Sequence, residues 1–170
     1  DRAARTSDNV AFQKPMGSKW VDVTNAEFAR AVRAVARGLV ARGVGPGDRV
    51  ALLCSTRYEW NLIDFAIWAA GGVTVPVYDS SSADQIRWIM EDSAARLIIV
   101  ENETHAATAA EGVAGLDTGP EILVVYGRSP VIDVLTTEGT SIDPSVLDDR
   151  RAGVRADSPA TLIYTSGTTG

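Results

Sequence analysis

Apolar positions along this chain follow two alternating rhythms. Four short runs are almost continuously apolar: Val50-Ala51-Leu52-Leu53-Cys54, Val73-Thr74-Val75-Pro76-Val77, Leu97-Ile98-Ile99-Val100 and Ile122-Leu123-Val124-Val125. Runs this short, without polar alternation, suit strands buried on both faces. Between them the apolar positions recur at helical spacing. Phe28, Ala31, Val32, Val35, Leu39 and Val40 predict a helix over 25–42, opened by the capping box Thr24-Asn25-Ala26-Glu27 and closed by Gly43. Arg30, Arg33, Arg37 and Arg42 fall largely off that stripe and read as a solvated face. A second helix is predicted over 57–70, with Trp60, Ile63, Ile67 and Trp68 facing inward, stopped by Gly71-Gly72. Ser82-Ala83-Asp84-Gln85 is another capping box, leading into Ile86, Ile89 and Met90, and a weaker, Ala- and Thr-rich helix is expected over 103–112.

The strands begin near 49, 73, 96 and 121. A spacing of about 24 residues is that of successive βα units in a parallel sheet. The fold class is therefore α/β: a mainly parallel sheet with helices on both faces, as right-handed crossovers require. Ligands of such sheets bind beyond the carboxyl ends of the strands. Pro76 has no N–H to donate and belongs near a strand end or an edge. Residues 1–19 carry little periodicity, and Trp20-Val21-Asp22-Val23 reads as a short strand. Pro130, Gly139 and a polar stretch predict irregular structure over 127–150, with a helix start at Asp143-Pro144. A polar stretch over 151–159 leads to a last strand at 160–164.

Composition narrows the classes. The chain has 170 residues, 45% of them hydrophobic and 22% charged, enough for a packed core. Its formal charge is −6 and its basic residues form no cluster, which argues against a nucleic-acid partner. No apolar run approaches the roughly 18 residues of a membrane span, and no signal peptide is visible. The single cysteine, Cys54, excludes an internal disulfide and fits a reducing cytoplasm. One cysteine and one histidine, His105, make a His/Cys metal site untenable. The chain opens at Asp1 rather than a methionine and closes within a glycine–hydroxyl stretch, and we read it as part of a longer protein.

That closing stretch is Tyr164-Thr165-Ser166-Gly167-Thr168-Thr169-Gly170. Glycine permits sharp turns and close backbone approach. Successive N–H groups can then converge on phosphate oxygens. The same residues also suit an ordinary solvated turn.

The surrounding segments favour the first reading. The heptapeptide matches the phosphate-binding signature of the adenylate-forming (AMP-binding) enzymes, which include acyl-CoA synthetases, luciferases and peptide-synthetase adenylation domains. Asp157-Ser158-Pro159-Ala160-Thr161-Leu162-Ile163 resembles the approach to that signature, Gly47-Asp48-Arg49-Val50-Ala51-Leu52-Leu53 an early strand of the family, and Ala69-Ala70-Gly71-Gly72-Val73-Thr74-Val75-Pro76-Val77 its next block. Val75-Pro76-Val77-Tyr78-Asp79-Ser80-Ser81-Ser82, Gln85-Ile86 and Ile98-Ile99-Val100-Glu101-Asn102 resemble bacterial long-chain fatty-acid–CoA ligases. The resemblance covers 20–103 and 155–170; residues 104–150 add nothing to it.

The resemblance implies that residues 1–170 are an incomplete N-terminal AMP-binding domain: a leading strand and helix over 1–47, parallel βα units over 48–127, an irregular connection over 128–156, and a strand with the phosphate loop over 157–170. The family's C-terminal domain lies outside it. Thr165, Ser166, Gly167, Thr168, Thr169 and Gly170 would wrap the β- and γ-phosphates of ATP, and Thr165 would also help bind Mg²⁺. The implied reaction joins a fatty acid to coenzyme A through an acyl-adenylate. The loop lysine and the other catalytic groups of the family have no counterpart in these residues, so none of them is assigned as catalytic, and residues 1–170 alone are expected to be inactive. Peripheral membrane contact of the parent is compatible with a long-chain substrate, although no amphipathic anchor stands out.

Other tempting residues have plainer readings. Cys54 is expected to be a buried structural thiol and His105 a surface residue. Trp60, Trp68 and Trp88 read as core, Asp48 as a turn residue, and Glu101 and Asp79 as strand-end groups with a minor claim to ligand contact. A P-loop kinase would need Gly-x-x-x-x-Gly-Lys-Ser/Thr, which is missing. A Rossmann-like binding module without catalysis, and a ligase for an aryl, short-chain or amino acid, stay open as alternatives.

Overall fold

The computed structural model describes residues 2–116, 119–127 and 130–165. A short helix α1 (Arg2–Arg5) precedes an antiparallel hairpin of β1 (Val10–Met16) and β2 (Lys19–Thr24). The expected strand at 20–23 is present, but its partner β1 lies where irregular chain was predicted. Pro15 sits opposite Trp20, and Met16 opposite Lys19. Gly17, at φ +63°, makes the two-residue turn between them.

Helix α2 (Asn25–Ala41) starts at the predicted capping box. The Glu27 amide donates to Thr24 Oγ1 at 3.2 Å, and the Thr24 amide donates to Glu27 Oε2 at 2.8 Å. Gly43 ends the helix at φ +81°. The four βα strands follow: β3 (Arg49–Leu53), β4 (Val73–Val77), β5 (Leu97–Asn102) and β6 (Glu121–Tyr126). They form one parallel sheet in the order β4-β3-β5-β6, connected by α3 (Tyr58–Ala69), α4 (Ala83–Ser93) and α5 (Glu103–Val113). The expected α/β architecture is therefore present.

Strands β3, β5 and β6 feed two cores because successive side chains point to opposite faces, whereas β4 feeds one. Val50, Leu52, Ile99, Leu123 and Val125 pack under α2 and α3, whereas Ala51, Leu53, Val75, Ile98 and Val100 pack against α4 and α5. Burial on both faces explains why the strand sequences show no alternation.

Two helices replace much of the irregular connection expected after β6. Helix α6 (Val131–Glu138) begins after Pro130 and ends at Gly139; α7 (Ser145–Ala152) starts at the predicted Asp143-Pro144 signal. Pro130 and Gly139, read as breakers, are the caps of α6. These helices also correct the reading of the α2 arginines. Arg33 reaches Asp148, Arg37 donates to the Ile142 and Thr140 carbonyls, and Arg42 pairs with Glu138 and Glu121. Three of the four thus tie α2 to later elements instead of facing only water.

Asp64, on α3, is a buried carboxylate, and Thr74 is fully buried beside it on β4. The Thr74 hydroxyl makes no hydrogen bond within normal limits among the described residues. Burial raises the Asp64 pKa above its ordinary 3.8, opposed in part by Thr74. A raised carboxyl pKa means that the folded state holds the proton more tightly. The resulting penalty is absent below the unfolded pKa, develops between the two pKa values and is complete above the folded one. Asp64→Asn is therefore expected to raise the melting temperature at pH 7. The gain should vanish below about pH 4; melts across that range check it.

Candidate functional site

Chain direction across the sheet reverses after β4: β4 lies on one side of β3, while β5 and β6 follow on the other. The carboxyl ends of β3 and β5 therefore flank a switch point, where open α/β sheets hold their ligands. Here that place is filled by the protein's own side chains. Glu101 Oε2 accepts from the Ser55 amide at 2.8 Å and the Ser55 hydroxyl at 2.7 Å, and Glu101 Oε1 accepts from Arg57 at 3.2 Å. Arg57 also donates to Glu59 at 2.9 Å and lies over the Tyr126 ring at 4.3 Å from its centre. Burial raises the Glu101 pKa, but the Ser55 bonds and the Arg57 charge outweigh it and hold the carboxyl below its ordinary range. Burial, then the Glu101 charge, pushes the Cys54 thiol up to about 12. Cys54 is accordingly a protonated structural thiol, and Glu101 is a bracket between strand ends. Asp79, beyond β4, is exposed.

The second location is the outer edge of β4. The expected last strand over 160–164 appears there as a single parallel bridge, Thr74 to Thr161. The Thr74 amide donates to the Ala160 carbonyl at 3.0 Å, and the Leu162 amide donates to the Thr74 carbonyl at 2.9 Å. The next rung of a parallel ladder would need an N–H from residue 76. Pro76 has none, so the ladder stops. The segment then runs alongside β4, which brings Thr165 level with the carboxyl end of that strand. Thr165 is exposed and lines an open hollow of about 330 Å³ with Ser81, Asp84, Gln85, Trp88 and Ile89. Ser166, Gly167, Thr168, Thr169 and Gly170, the other members of the expected loop, lie outside the described residues.

Around Thr165 the donors are hydroxyl and carboxylate oxygens, which suit a hard cation. Among the described residues no group of three His, Cys, Asp or Glu side chains is placed to hold a metal. The oxygens of Thr165, Ser81 and Asp84 are a donor set of the kind Mg²⁺ accepts, one or two protein oxygens with phosphate and water completing its shell. Thr165 offers one such oxygen.

Three side chains at this edge differ from their sequence reading or escaped it. Trp68 and Trp88, expected in the core, are 37% and 58% exposed. Trp60 does pack against the core as expected. The Trp68 indole N–H donates to the Ala160 carbonyl at 2.8 Å, and the Trp88 ring meets Tyr164 edge-on at 5.1 Å. Asp92, which had no sequence signal beyond its i,i+4 spacing from Trp88, accepts from the Tyr164 hydroxyl at 2.6 Å. Burial, then this bond, raises the Tyr164 pKa to about 12. His105 is half-buried rather than at the surface, with Nδ1 enclosed and unpartnered among the described residues. Asp48 serves its turn as expected, accepting from the Gly45 amide at 2.8 Å.

The comparisons with known proteins point one way. The family model of the AMP-binding enzymes matches residues 1–170. The long-chain-fatty-acid–CoA ligase FadD15 of Mycobacterium bovis is 48% identical over 164 residues, spanning 96% of this chain and 27% of that protein. This chain thus spans about a quarter of the length of that relative. The crystal structure of a long-chain-fatty-acid-CoA ligase, FadD1, from Archaeoglobus fulgidus aligns with a TM-score of 0.76 at 18% identity, covering 96% of this chain and 32% of that one. A fatty acyl CoA synthetase from Mycobacterium tuberculosis aligns with a TM-score of 0.74 at 23% identity, covering 97% and 31%. At those identities the two structures speak for the fold; the family model and the close relative speak for descent, and the chain belongs to the AMP-binding enzyme family.

Proposed function

We propose that the protein carrying this chain is a long-chain fatty-acid–CoA ligase. The supporting observation is the 48% identity to such a ligase across 96% of the chain. In the first half-reaction a carboxylate oxygen of the fatty acid attacks the α-phosphorus of ATP. The bond to the bridging oxygen of the β-phosphate breaks, and pyrophosphate leaves. In the second, the sulfur of coenzyme A attacks the acyl carbonyl, and AMP departs with the bonding electrons. Thr165, Ser166, Gly167, Thr168, Thr169 and Gly170 wrap the β- and γ-phosphates through backbone N–H groups and hydroxyls. Such chemistry depends on positioning and charge stabilisation more than on covalent help from the protein. Mg²⁺, when bound, would neutralise phosphate charge, and Thr165 would supply one ligand oxygen. The protein works in the cytoplasm, with peripheral contact to membranes that hold its substrate; among the described residues no helix is long and apolar enough to cross one.

These residues supply only part of that apparatus. The chain has two lysines, Lys14 and Lys19, both in the β1–β2 hairpin. No lysine therefore stands beside Thr165 to meet a γ-phosphate. The whole protein is expected to catalyse ATP–pyrophosphate exchange that depends on palmitate and Mg²⁺. Residues 1–170 alone are expected to show none. Exchange driven by benzoate or an amino acid but not palmitate would replace the substrate assignment, and exchange by residues 1–170 would overturn the partition of the machinery.

A further inference from the structure

The segment that delivers Thr165 is joined to the sheet by one bridge, because Pro76 denies it the next rung. A loop that must align several N–H groups on a phosphate tolerates little looseness at its root. Something other than the ladder must hold residues 160–164.

Two helices from opposite faces of the sheet reach around the edge of β4 to do so. From α3, the Trp68 indole adds a second hydrogen bond to the Ala160 carbonyl, beside that of the Thr74 amide. From α4, Asp92 takes the Tyr164 hydroxyl and Trp88 takes the Tyr164 ring. The first contact fastens the start of the segment and the second fastens its end, one residue before Thr165. Both tryptophans are too exposed to be explained by the core, and both touch this segment.

We propose that Trp68 and Asp92, with the Trp88 ring, are positioning residues for the ATP phosphate loop: they brace residues 160–164 from the two faces of the sheet and substitute for the ladder that Pro76 interrupts. This rests on the reading of the loop given above. Of the brace, Trp88 also lines the hollow beside Thr165, while Trp68 and Asp92 act on residues 160–164. The effect of the brace passes through Ala160 and Tyr164 to the backbone that follows.

The test uses the whole protein and two readouts: MgATP affinity by calorimetry without fatty acid or coenzyme A, and KM for each substrate. Tyr164→Phe and Asp92→Ala are each expected to weaken MgATP binding about tenfold. The double variant should be no worse than either single one, since both break the same bond. Asp92→Asn keeps an acceptor oxygen and should restore most of the affinity. Trp68→Phe, which keeps a ring and loses the N–H, should cost about threefold to fivefold. KM for fatty acid and for coenzyme A should stay within about twofold while KM for ATP rises. Folded Tyr164→Phe and Asp92→Ala variants with wild-type MgATP affinity would overturn the brace alone. Additive losses in the double variant, or equal rises in all three KM values, would also overturn it, as general loosening. A wild-type protein that fails to bind MgATP would overturn the loop reading and the brace together.

Discussion

Gly38→Ala is expected to lower stability by about 2–3 kcal/mol or more, although alanine is the better helix former by about 1 kcal/mol. The reason is the crossing of α2 with α6. A Cβ at Gly38 would overlap the carbonyl oxygen of Leu135 and lie 2.5 Å from its carbonyl carbon and 2.6 Å from its Cα. These are backbone atoms, so no rotamer change relieves the overlap. Nor can the chain beyond α6 give way easily. A Cβ at Gly139 would lie 2.8 Å from both the Ala34 carbonyl oxygen and the Gly38 amide nitrogen, so the two glycines sit at one closest approach. Relief requires α6 to move outward, and Leu135, fully buried beneath it, to leave its place. A domain holds only about 5–15 kcal/mol in total. The variant should therefore show a lower melting temperature and poorer soluble yield, and an unchanged melting temperature would show that α6 slides freely over α2.

Ile99→Ala should cost about 3–4 kcal/mol, through a different mechanism. Ile99 lies on β5 between Leu52 of β3 and Leu123 of β6 in the sheet register, all three on the same face. It is fully buried, so truncation leaves a hole bordered by strands on both sides and helices above. Removing three buried carbons at about 0.8 kcal/mol each accounts for about 2.4 kcal/mol. The unfilled cavity supplies the remainder, because a sheet whose strands are hydrogen-bonded on both sides cannot collapse inward. Ile99→Val removes one carbon and should cost about 1 kcal/mol. Denaturant midpoints check both values, with an unchanged slope showing that only stability moved.

The parts of this fold that were legible in the sequence are those decided locally. The strands announced themselves because burial on both faces forces uniform apolarity, as in Leu97-Ile98-Ile99-Val100. Helices α2 and α4 were legible because their capping boxes satisfy their own N-terminal amides within four residues. Strand β1 escaped because it offers one face to the protein, and Lys14-Pro15 breaks the alternation on that face; Lys14 lies over the Tyr58 ring. Helix α6 escaped because a proline and a glycine mark helix ends as readily as they mark loops. The arginines of α2 were misread because their partners lie some hundred residues later, as with Arg33 and Asp148, where no local pattern reaches. At the candidate site, the hydroxyl–glycine letters were readable and their supports were not. Trp68 and Trp88 occupy apolar helix faces that turn out to overlook a strand edge, and only the path of residues 160–164 reveals it.

The pairing of α2 with α6 also has a consequence in time. A chain made from its N-terminus at about 5–20 residues per second completes α2 roughly 5–20 s before α6 emerges to cover it. Helix α3 arrives sooner and shields the Phe28 and Val35 side. The surface left waiting is the one that later receives Leu135 and Glu138, and it is built from Ala34, Gly38, Arg37 and Arg42. Its two arginines, Arg37 and Arg42, carry positive charge that keeps it hydrated until their partners arrive. The arginines that tie α6 and the turn after it to α2 in the finished protein thus also keep that surface wetted while it waits.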